Sequence, residues 1–351
     1  MKSTVRLKKS KPVNRNRRGL LSRLVRGLFK TGVLAILAAA TWSAFFIGTR
    51  CYSRSSTDRS TTEASTFLTL PEWYIVYNTE EYATFTASGS PTRFPYGGSI
   101  AQYWRYYGAA CDATTGRYPF SGGNHLMLAV IGSSFSIEYA LKGLYENTAG
   151  RLSDTLSGHS TPEDALAHAT AVQYGAFMHT VPWYDFPFGA RLSQLWRGTP
   201  MRGPQMLRKW ERRFALTAEY GVKAVYGWLI GLGTHAAYDA VQPTLQAHIQ
   251  RSDGTSAAVT LPRYEAFTAA AVGLLHDGAR FRDIAGNDEI LLTAIVPAGF
   301  EAGGLHAILT ERLLTDPTRV RVAVRTQVSQ LHEVVASLEK SGGRIEHLYD
   351  Y

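Results

Sequence analysis

The feature that most constrains this chain of 351 residues is a basic segment followed directly by an uncharged apolar one. Residues 1–30 contain eleven lysines and arginines and no acidic residue, and residues 31–48 (TGVLAILAAATWSAFFIG) contain no charged residue. A helix of eighteen residues rises about 27 Å, which crosses most of the hydrocarbon core of a bilayer. The sequence therefore predicts a basic tail over residues 1–30 and a transmembrane helix over residues 31–48.

The same charge distribution predicts the orientation of this helix. Eleven positive charges precede it, whereas only Arg50, Arg54 and Arg59 follow it closely. The positive-inside rule then places the N-terminus in the cytoplasm and the C-terminal domain outside the cytoplasm, as in a protein of the bacterial inner membrane. A cleaved signal peptide is the alternative interpretation. It is disfavoured because Arg50 stands next to Cys51, where a cleavage site requires a small residue.

The charge of the remaining chain excludes one class of partner. The formal net charge of the protein is +9, but residues 31–351 carry 26 basic and 28 acidic residues, a net charge of −2. A basic surface for nucleic acid is therefore not expected in the body of the protein. The expected partners are the lipid bilayer and either another protein or a second copy of the chain.

Two cysteines, Cys51 and Cys111, both follow the apolar run. A disulfide between them is chemically permitted outside the cytoplasm, and the alternative that they never meet is equally open. No CxxC motif or Cys/His spacing points to zinc, so no metal site is predicted. Residues 49–66 are small and polar and are typical of a tether.

Aromatic residues are concentrated in residues 67–245, for which we predict a mainly helical, membrane-proximal domain. In PEWYIVYNTEEYATFT (residues 71–86), PEWYIVY fits a short strand or a helical turn, and Asn78 followed by Glu81 is typical of a helix N-terminus. Such aromatic clusters occur in membrane-interface belts and in contact surfaces for proteins. The residues that we assign to a membrane or partner interface are Trp73, Tyr74, Tyr77, Trp183, Tyr184, Phe186 and Trp210.

Other helices of this domain are predicted by local signals. One covers residues 99–111, and another begins at Thr161, where Pro162 and two acidic residues follow a capping side chain. Residues 204–218 place Leu207, Trp210 and Phe214 at helical spacing among basic residues, which is typical of an amphipathic helix at a membrane surface.

Residues 126–145 and 221–238 are marginal membrane segments. Residues 126–145 contain eight Leu, Ile, Val or Phe side chains but also Glu138 and Lys142, so the favourable and unfavourable contributions to insertion nearly cancel. A buried helix, a helix on the membrane surface and a second span remain open. One span and three spans both leave the C-terminal part outside the cytoplasm.

The C-terminal residues, 250–351, are predicted to form a ferredoxin-like α/β sandwich, which makes the fold class α+β. Alternating valines in RVRVAVR predict a half-buried strand, and residues 327–340 show helical spacing that ends at Ser341. The order βαββαβ, followed by a further αβ, fits a ferredoxin-like sandwich with an extra αβ unit. The predicted strands are 256–261, 279–285, 289–297, 319–325 and 344–350, and the predicted helices are 263–275, 303–314 and 327–340.

No catalytic motif occurs: GxSxG, HExxH, GxxxxGK followed by Ser or Thr, and a GxGxxG after a strand are all missing from the sequence. The expected function is therefore that of a membrane-anchored accessory or scaffold protein. The alternative is an enzyme or a cofactor-binding or lipid-binding protein with a site between its two domains, and no particular cofactor is indicated. The polar residues that could form such a site are His125, Glu138, Lys142, His179, Asp185, His235 and Asp239.

Overall fold

The computed structural model describes residues 16–52, 67–238 and 244–350. Among the described residues, the regular elements up to residue 238 are helices, and the strands begin at residue 244. The helices of this first part are α1 (Asn16–Phe46), α2 (Leu70–Ser88), α3 (Tyr96–Thr114), α4 (Gly122–Tyr145), α5 (Arg151–Ser157), α6 (Pro162–Met178), α7 (Phe188–Gly198) and α8 (Met206–Tyr238). Short π-helical turns, Ile47–Cys51 and Glu146–Gly150, extend α1 and α4.

Helix α6 begins where its sequence predicts. The Thr161 hydroxyl accepts a hydrogen bond from the backbone N–H of Asp164, and the Asp164 carboxylate accepts one from the backbone N–H of Thr161. This reciprocal capping box satisfies two backbone donors that the helix itself cannot satisfy, and Pro162 supplies the first helical residue.

Two local predictions are corrected by longer helices. Asn78 does not cap a helix, because α2 runs without interruption from Leu70 to Ser88 and the Asn78 amide donates to the hydroxyl of Ser99. Residues 204–218 and 221–238 do not form separate segments, because α8 continues through Gly221.

The second part contains two antiparallel sheets, with strand orders β2-β1-β3 and β5-β6-β4-β7. Helix α9 (Glu265–His276) connects β2 to β3, and α10 (Leu331–Lys340) connects β6 to β7. In both cases the two connected strands flank a central one, so each sheet contains a split β-α-β unit. The strands are β1 (Thr244–Gln250), β2 (Ser256–Pro262), β3 (Arg280–Ile284), β4 (Glu289–Pro297), β5 (Ala307–Arg312), β6 (Arg319–Gln327) and β7 (Arg344–Leu348).

A mixed helix and sheet fold is confirmed, but the ferredoxin-like sandwich is not, because its strands are divided between two sheets. The predicted helix over residues 303–314 is wrong: this segment contains the edge strand β5, whose backbone pairs with β6. Strand β1 was not predicted. Both segments are strands because their backbones pair with neighbouring strands, β5 with β6 and β1 with β2 and β3, and such pairing overrides local preference.

The sheet containing β4 is buried on both faces. Ile290, Leu292 and Ala294 face the core that this sheet shares with α9, α10 and the other sheet. Leu291 and Ala323 face the opposite way, into the aromatic core of the helical part. The sheet β5-β6-β4-β7 therefore packs with the helical part on one face and with the sheet β2-β1-β3 on the other.

Helix α4 lies between α1 and α8. The hydroxyl of Ser133 is 2.8 Å from that of Ser43 in α1, and the hydroxyl of Ser134 is 3.1 Å from that of Tyr226 in α8. A disulfide joins Cys51, directly after α1, to Cys111 in α3, which decides between the two alternatives left open by the sequence. Gly32–Cys51 is the described segment that is long and apolar enough to cross a membrane, and a signal sequence has the same properties.

Replacing Gly132 in α4 by alanine should destabilise the fold. An added Cβ would lie 2.2 Å from Cε1 of the buried Tyr103 ring. Such overpacking typically lowers the free energy of unfolding by about 1–3 kcal/mol. The control is Gly123→Ala in the same helix, where no described atom lies within 4 Å of the new Cβ. Urea unfolding in detergent should give a lower midpoint for Gly132→Ala only. An equal midpoint for both variants would contradict the close approach of α3 and α4.

Candidate functional site

Helix α8 carries its charged side chains on its buried face. Arg208, Lys209, Arg212 and Arg213 are at most 2% exposed, whereas Phe214 is 68% exposed. The helix predicted over residues 204–218 is amphipathic, but its basic residues face the interior rather than solvent. Burial of four basic side chains requires compensating charge, because an unpaired ion in the interior costs several kcal/mol.

The compensating charge comes from four carboxylates within α6, α8 and the π-helical turn after α4. Gly150 makes room for one of them, since an added Cβ would lie 2.5 Å from the Glu146 carboxylate. This cluster is neutral in total, and its described contacts account for its charge. The pairs are Arg208 with Asp164 at 2.7 Å, Arg208 with Glu211 at 3.2 Å, Lys209 with Glu163 at 3.2 Å, Arg213 with Glu163 at 2.9 Å, Arg212 with Glu146 at 2.8 Å and Arg212 with Glu211 at 2.6 Å.

A second charged group, farther along α8, faces a cavity of about 70 Å³ between α2, α4, α6 and α8. We call it the charged quartet: Glu138 and Lys142 of α4 with Glu219 and Lys223 of α8. The Lys223 ammonium lies 2.8 Å from the Glu138 carboxylate and 3.3 Å from that of Glu219. The Lys142 ammonium lies 3.1 Å from Glu219. The charges therefore alternate in sign from Glu138 to Lys142.

Aromatic rings line the same cavity and contact its lysines. The Lys142 ammonium lies 4.4 Å from the centre of the Tyr82 ring, and the Lys223 ammonium lies 5.3 Å from those of Tyr174 and Phe188. These distances place both ammonium groups within range of cation–π attraction. The cavity thus combines fixed charges of both signs with flat apolar walls, an arrangement suited to a small polar ligand.

The structure brings Glu138 and Lys142 together, as their spacing of four residues predicts, but each forms its close ion pair with α8. Sequence reasoning missed Glu219 and Lys223. Their signal was present, because they repeat the same Glu and Lys spacing at the start of the second marginal apolar segment.

Among the described candidates, His125, His179 and Asp185 do not line this cavity. His125 is buried near the disulfide, where its Nδ1 lies 2.9 Å from the Tyr107 hydroxyl. Asp185 is exposed in a short 3₁₀ turn. The side chain of His235 and the whole of Asp239 lie outside the described residues.

Ligand atoms of Cys51, Cys111 and His125 lie within 4.8 Å of one another, as they would in a metal site. The two sulfurs are bonded to each other, however, so neither is available as a thiolate. In this oxidised form the group is better suited to holding the end of α1 against α3 than to binding an ion.

His179 belongs to a separate cluster at the junction of the helices and strands. Its Nε2 lies 2.6 Å from a Glu80 carboxylate oxygen in α2, and its Nδ1 lies 2.9 Å from a Glu265 oxygen in α9. Hydrogen bonds to Glu265 and Glu80 raise the pKa of His179 to about 10. His179 is therefore a cation at neutral pH that holds two carboxylates from different parts of the chain.

A second histidine near this cluster has the opposite property. His347 in β7 is 1% exposed and lies against the Trp73 ring, with ring centres 3.6 Å apart. Burial, together with the positive charge of His179, lowers the pKa of His347 to about 3. It remains neutral while His179 is charged.

The aromatic residues assigned to an external interface have mixed locations. Tyr74 and Tyr77 are at most 1% exposed and Phe186 is 5% exposed, so these three form part of the interior rather than an external surface. Trp73, Trp183 and Tyr184 are half-buried. Trp210 is 44% exposed on α8. Of the seven, it is the ring that the fold presents outward.

Comparisons of the chain with models of protein families, with characterised proteins and with solved structures found no match.

The two histidines predict a stability maximum near their ordinary pKa of about 6.5. His179 has a raised pKa, so its stabilisation is complete below pH 6.5 and is lost as the pH rises towards 10. His347 has a lowered pKa, so stability is lost as the pH falls from 6.5 towards 3. Urea midpoints measured across this range should fall on both sides of the maximum.

Two single variants separate these effects. His179→Gln should flatten the alkaline side of the midpoint curve, and His347→Gln should flatten the acidic side. His248→Gln is the control, because His248 is an exposed histidine paired with Asp283 at the sheet surface. Curves that change equally in all three variants would contradict the assignment of the pH dependence to the junction.

Proposed function

We propose that the protein is an accessory or scaffold protein of the bacterial inner membrane, held on the bilayer by one apolar face and offering its polar strands to a protein partner. The observation that carries this proposal is the inverted helix α8, whose charged side chains are buried while its large apolar side chains are exposed. This face, which we call the apolar wall, is formed by α1, α4 and α8. Its residues are Val33, Leu34, Ile36, Leu37, Trp42, Phe45, Leu126, Met127, Val130, Leu141, Leu144, Leu207, Trp210, Phe214, Val222, Val225, Trp228, Leu229 and Leu232.

The size and shape of the wall favour a bilayer as its occupant. Soluble proteins rarely expose contiguous apolar patches of more than a few hundred Å², and here three neighbouring helices expose large apolar side chains together. Along α8 alone, the stripe from Leu207 to Leu232 extends about 38 Å at 1.5 Å per residue. A helix with one apolar face and few exposed charges is suited to the boundary between lipid headgroups and acyl chains.

The exposed face of the first sheet, β2-β1-β3, is polar. On β1, Gln246 and His248 are exposed, and on β3 so are Arg280 and Arg282. Immersion of this side would place charged groups in hydrocarbon at a high cost. We therefore place the wall in contact with lipid and the first sheet away from it, with α1 crossing the bilayer so that the N-terminus lies in the cytoplasm and the strands lie outside.

The aromatic residues of the wall support the same placement. Trp42, Trp210 and Trp228 are each between 44% and 63% exposed and belong to the wall. Tryptophan is enriched where the apolar and polar regions of a bilayer meet. The basic segment of residues 1–30 adds attraction to the anionic lipids of the cytoplasmic surface.

Contact of the wall with lipid can be measured by tryptophan fluorescence. In vesicles of phosphatidylcholine with brominated acyl chains, the emission of Trp210 and Trp228 should be quenched because both side chains face lipid. Replacing either by phenylalanine should remove quenched emission. The matched control is Trp73→Phe, which should remove unquenched emission because Trp73 packs against His347 in the interior. If the emission lost in Trp210→Phe and in Trp228→Phe were unquenched, neither side chain would face lipid, and the proposed contact of the wall with lipid would be contradicted.

The scaffold role requires a protein partner. Native mass spectra of the chain, extracted from its own membranes in mild detergent, should show a species heavier than 38.7 kDa by the mass of another subunit or a second copy. Replacing Arg280 and Arg282 by glutamate should weaken that species if the polar sheet is the contact surface. A chain that is recovered as a monomer under all mild conditions would contradict the scaffold role.

A further inference from the structure

We infer that the cavity of the charged quartet binds the headgroup of a phospholipid with a primary ammonium group, as in phosphatidylethanolamine. The inference rests on the proposed contact between the apolar wall and the bilayer. It deepens that proposal by assigning a ligand to a cavity next to the wall.

The cavity is accessible from the side of the wall. Of the quartet, Glu138 is the most exposed, with 40% of its side chain accessible, whereas the other three are 15–21% exposed. On the same two helices, Leu141, Val222 and Val225 of the wall are at least 61% exposed. A lipid lying against the wall would therefore have its acyl chains on apolar residues and Glu138 within reach of its headgroup.

The charges of the quartet favour a zwitterion. Two lysines and two glutamates give a net charge of zero, and every member of the quartet has at least one oppositely charged neighbour within 3.3 Å. A purely anionic or cationic ligand would leave one side chain of a partly buried pair without its partner, which is costly. A zwitterion can satisfy both members of the Glu138 and Lys223 pair, with its ammonium at the carboxylate and its phosphate at the lysine.

The hydrogen-bonding chemistry of the site favours a primary ammonium over a trimethylammonium. The cavity of about 70 Å³ offers room for a group of roughly five water molecules, which is enough for an ethylammonium. A primary ammonium also donates three hydrogen bonds, as the lysine ammonium does, whereas a trimethylammonium donates none. The Glu138 carboxylate accepts such bonds, and charge-assisted hydrogen bonds are the stronger ones.

The test uses the full chain purified in detergent and equilibrated with equal amounts of phosphatidylethanolamine and phosphatidylcholine in mixed micelles. Native mass spectra should show the first lipid retained about tenfold more than the second, which corresponds to about 1.4 kcal/mol. Glu138→Gln should reduce this ratio to near one, because the amide keeps the size of the side chain but loses its charge. Glu333→Gln, at an exposed position of α10, is the matched control and should keep the ratio.

A double variant separates recognition from folding. Removing both charges of the pair, with Glu138→Gln and Lys223→Gln, keeps the quartet neutral and leaves the Lys142 and Glu219 pair in place, so thermal unfolding should stay near that of the unaltered chain. The lipid ratio should still fall towards one, because no carboxylate remains at the exposed position. A double variant that keeps the full preference would overturn the inference.

Three further outcomes decide the remaining points. Equal retention of both lipids by the unaltered chain, or an unchanged ratio in Glu138→Gln, would overturn the headgroup site. Binding of soluble phosphoethanolamine as tightly as, or more tightly than, the lipid would overturn the assignment to a membrane lipid. Tryptophan quenching in pure phosphatidylcholine vesicles without a lipid preference would leave the apolar wall intact and reject only the site, whereas an unquenched chain would reject the wall itself.

Discussion

The pairing of buried charges along α8 determines which side chains the helical part exposes on its surface. A helix with four basic residues in six positions would ordinarily face them towards solvent. Here Glu163 and Asp164 at the start of α6 and Glu146 after α4 supply the compensating carboxylates, so the basic side of α8 is held inside. The opposite side of α8 is apolar, and inward charges therefore require an outward apolar stripe. The wall is thus a consequence of ion pairing in the interior rather than of a surplus of apolar residues.

A second set of polar contacts fixes the sheets against the helices. Arg321 in β6 is 3% exposed and lies 3.1 Å from Glu81 in α2 and 2.6 Å from Glu346 in β7. Its guanidinium also lies 4.3 Å from the centre of the Tyr77 ring. Burial raises the pKa of Glu81, and the charge of Arg321 opposes that effect. Because one guanidinium contacts carboxylates from both parts of the chain, rotation of the sheet against α2 would break several charged contacts at once.

Local sequence signals predicted the elements that depend on nearby residues. The capping box at Thr161 and the strand at residues 289–297 are both observed, because their determinants lie within a few residues. Strand β5 was predicted as a helix since its pairing partner, β6, is the element that determines its conformation. The charged quartet also combines local and distant determinants. The spacing of Glu138 and Lys142 predicted that these two residues lie close together. Local spacing could not predict that each of them pairs with α8, which is distant in sequence.

The aromatic segment PEWYIVY shows why composition did not reveal location. A cluster of Trp and Tyr is compatible with a membrane belt, a partner surface or a core, because each ring combines apolar area with a polar atom. In the structure, the tyrosine hydroxyls form hydrogen bonds inside the protein. The Tyr77 hydroxyl lies 2.8 Å from that of Thr293 in β4, and the Tyr74 hydroxyl donates to the backbone oxygen of Ser99. Tyr77 thereby joins α2 to the sheet, Tyr74 joins α2 to α3, and both hydroxyls are engaged inside the protein. The membrane contact that we propose is therefore assigned to α1, α4 and α8, whose exposed side chains are mainly aliphatic, and the proposed polar recognition is assigned to the charged quartet.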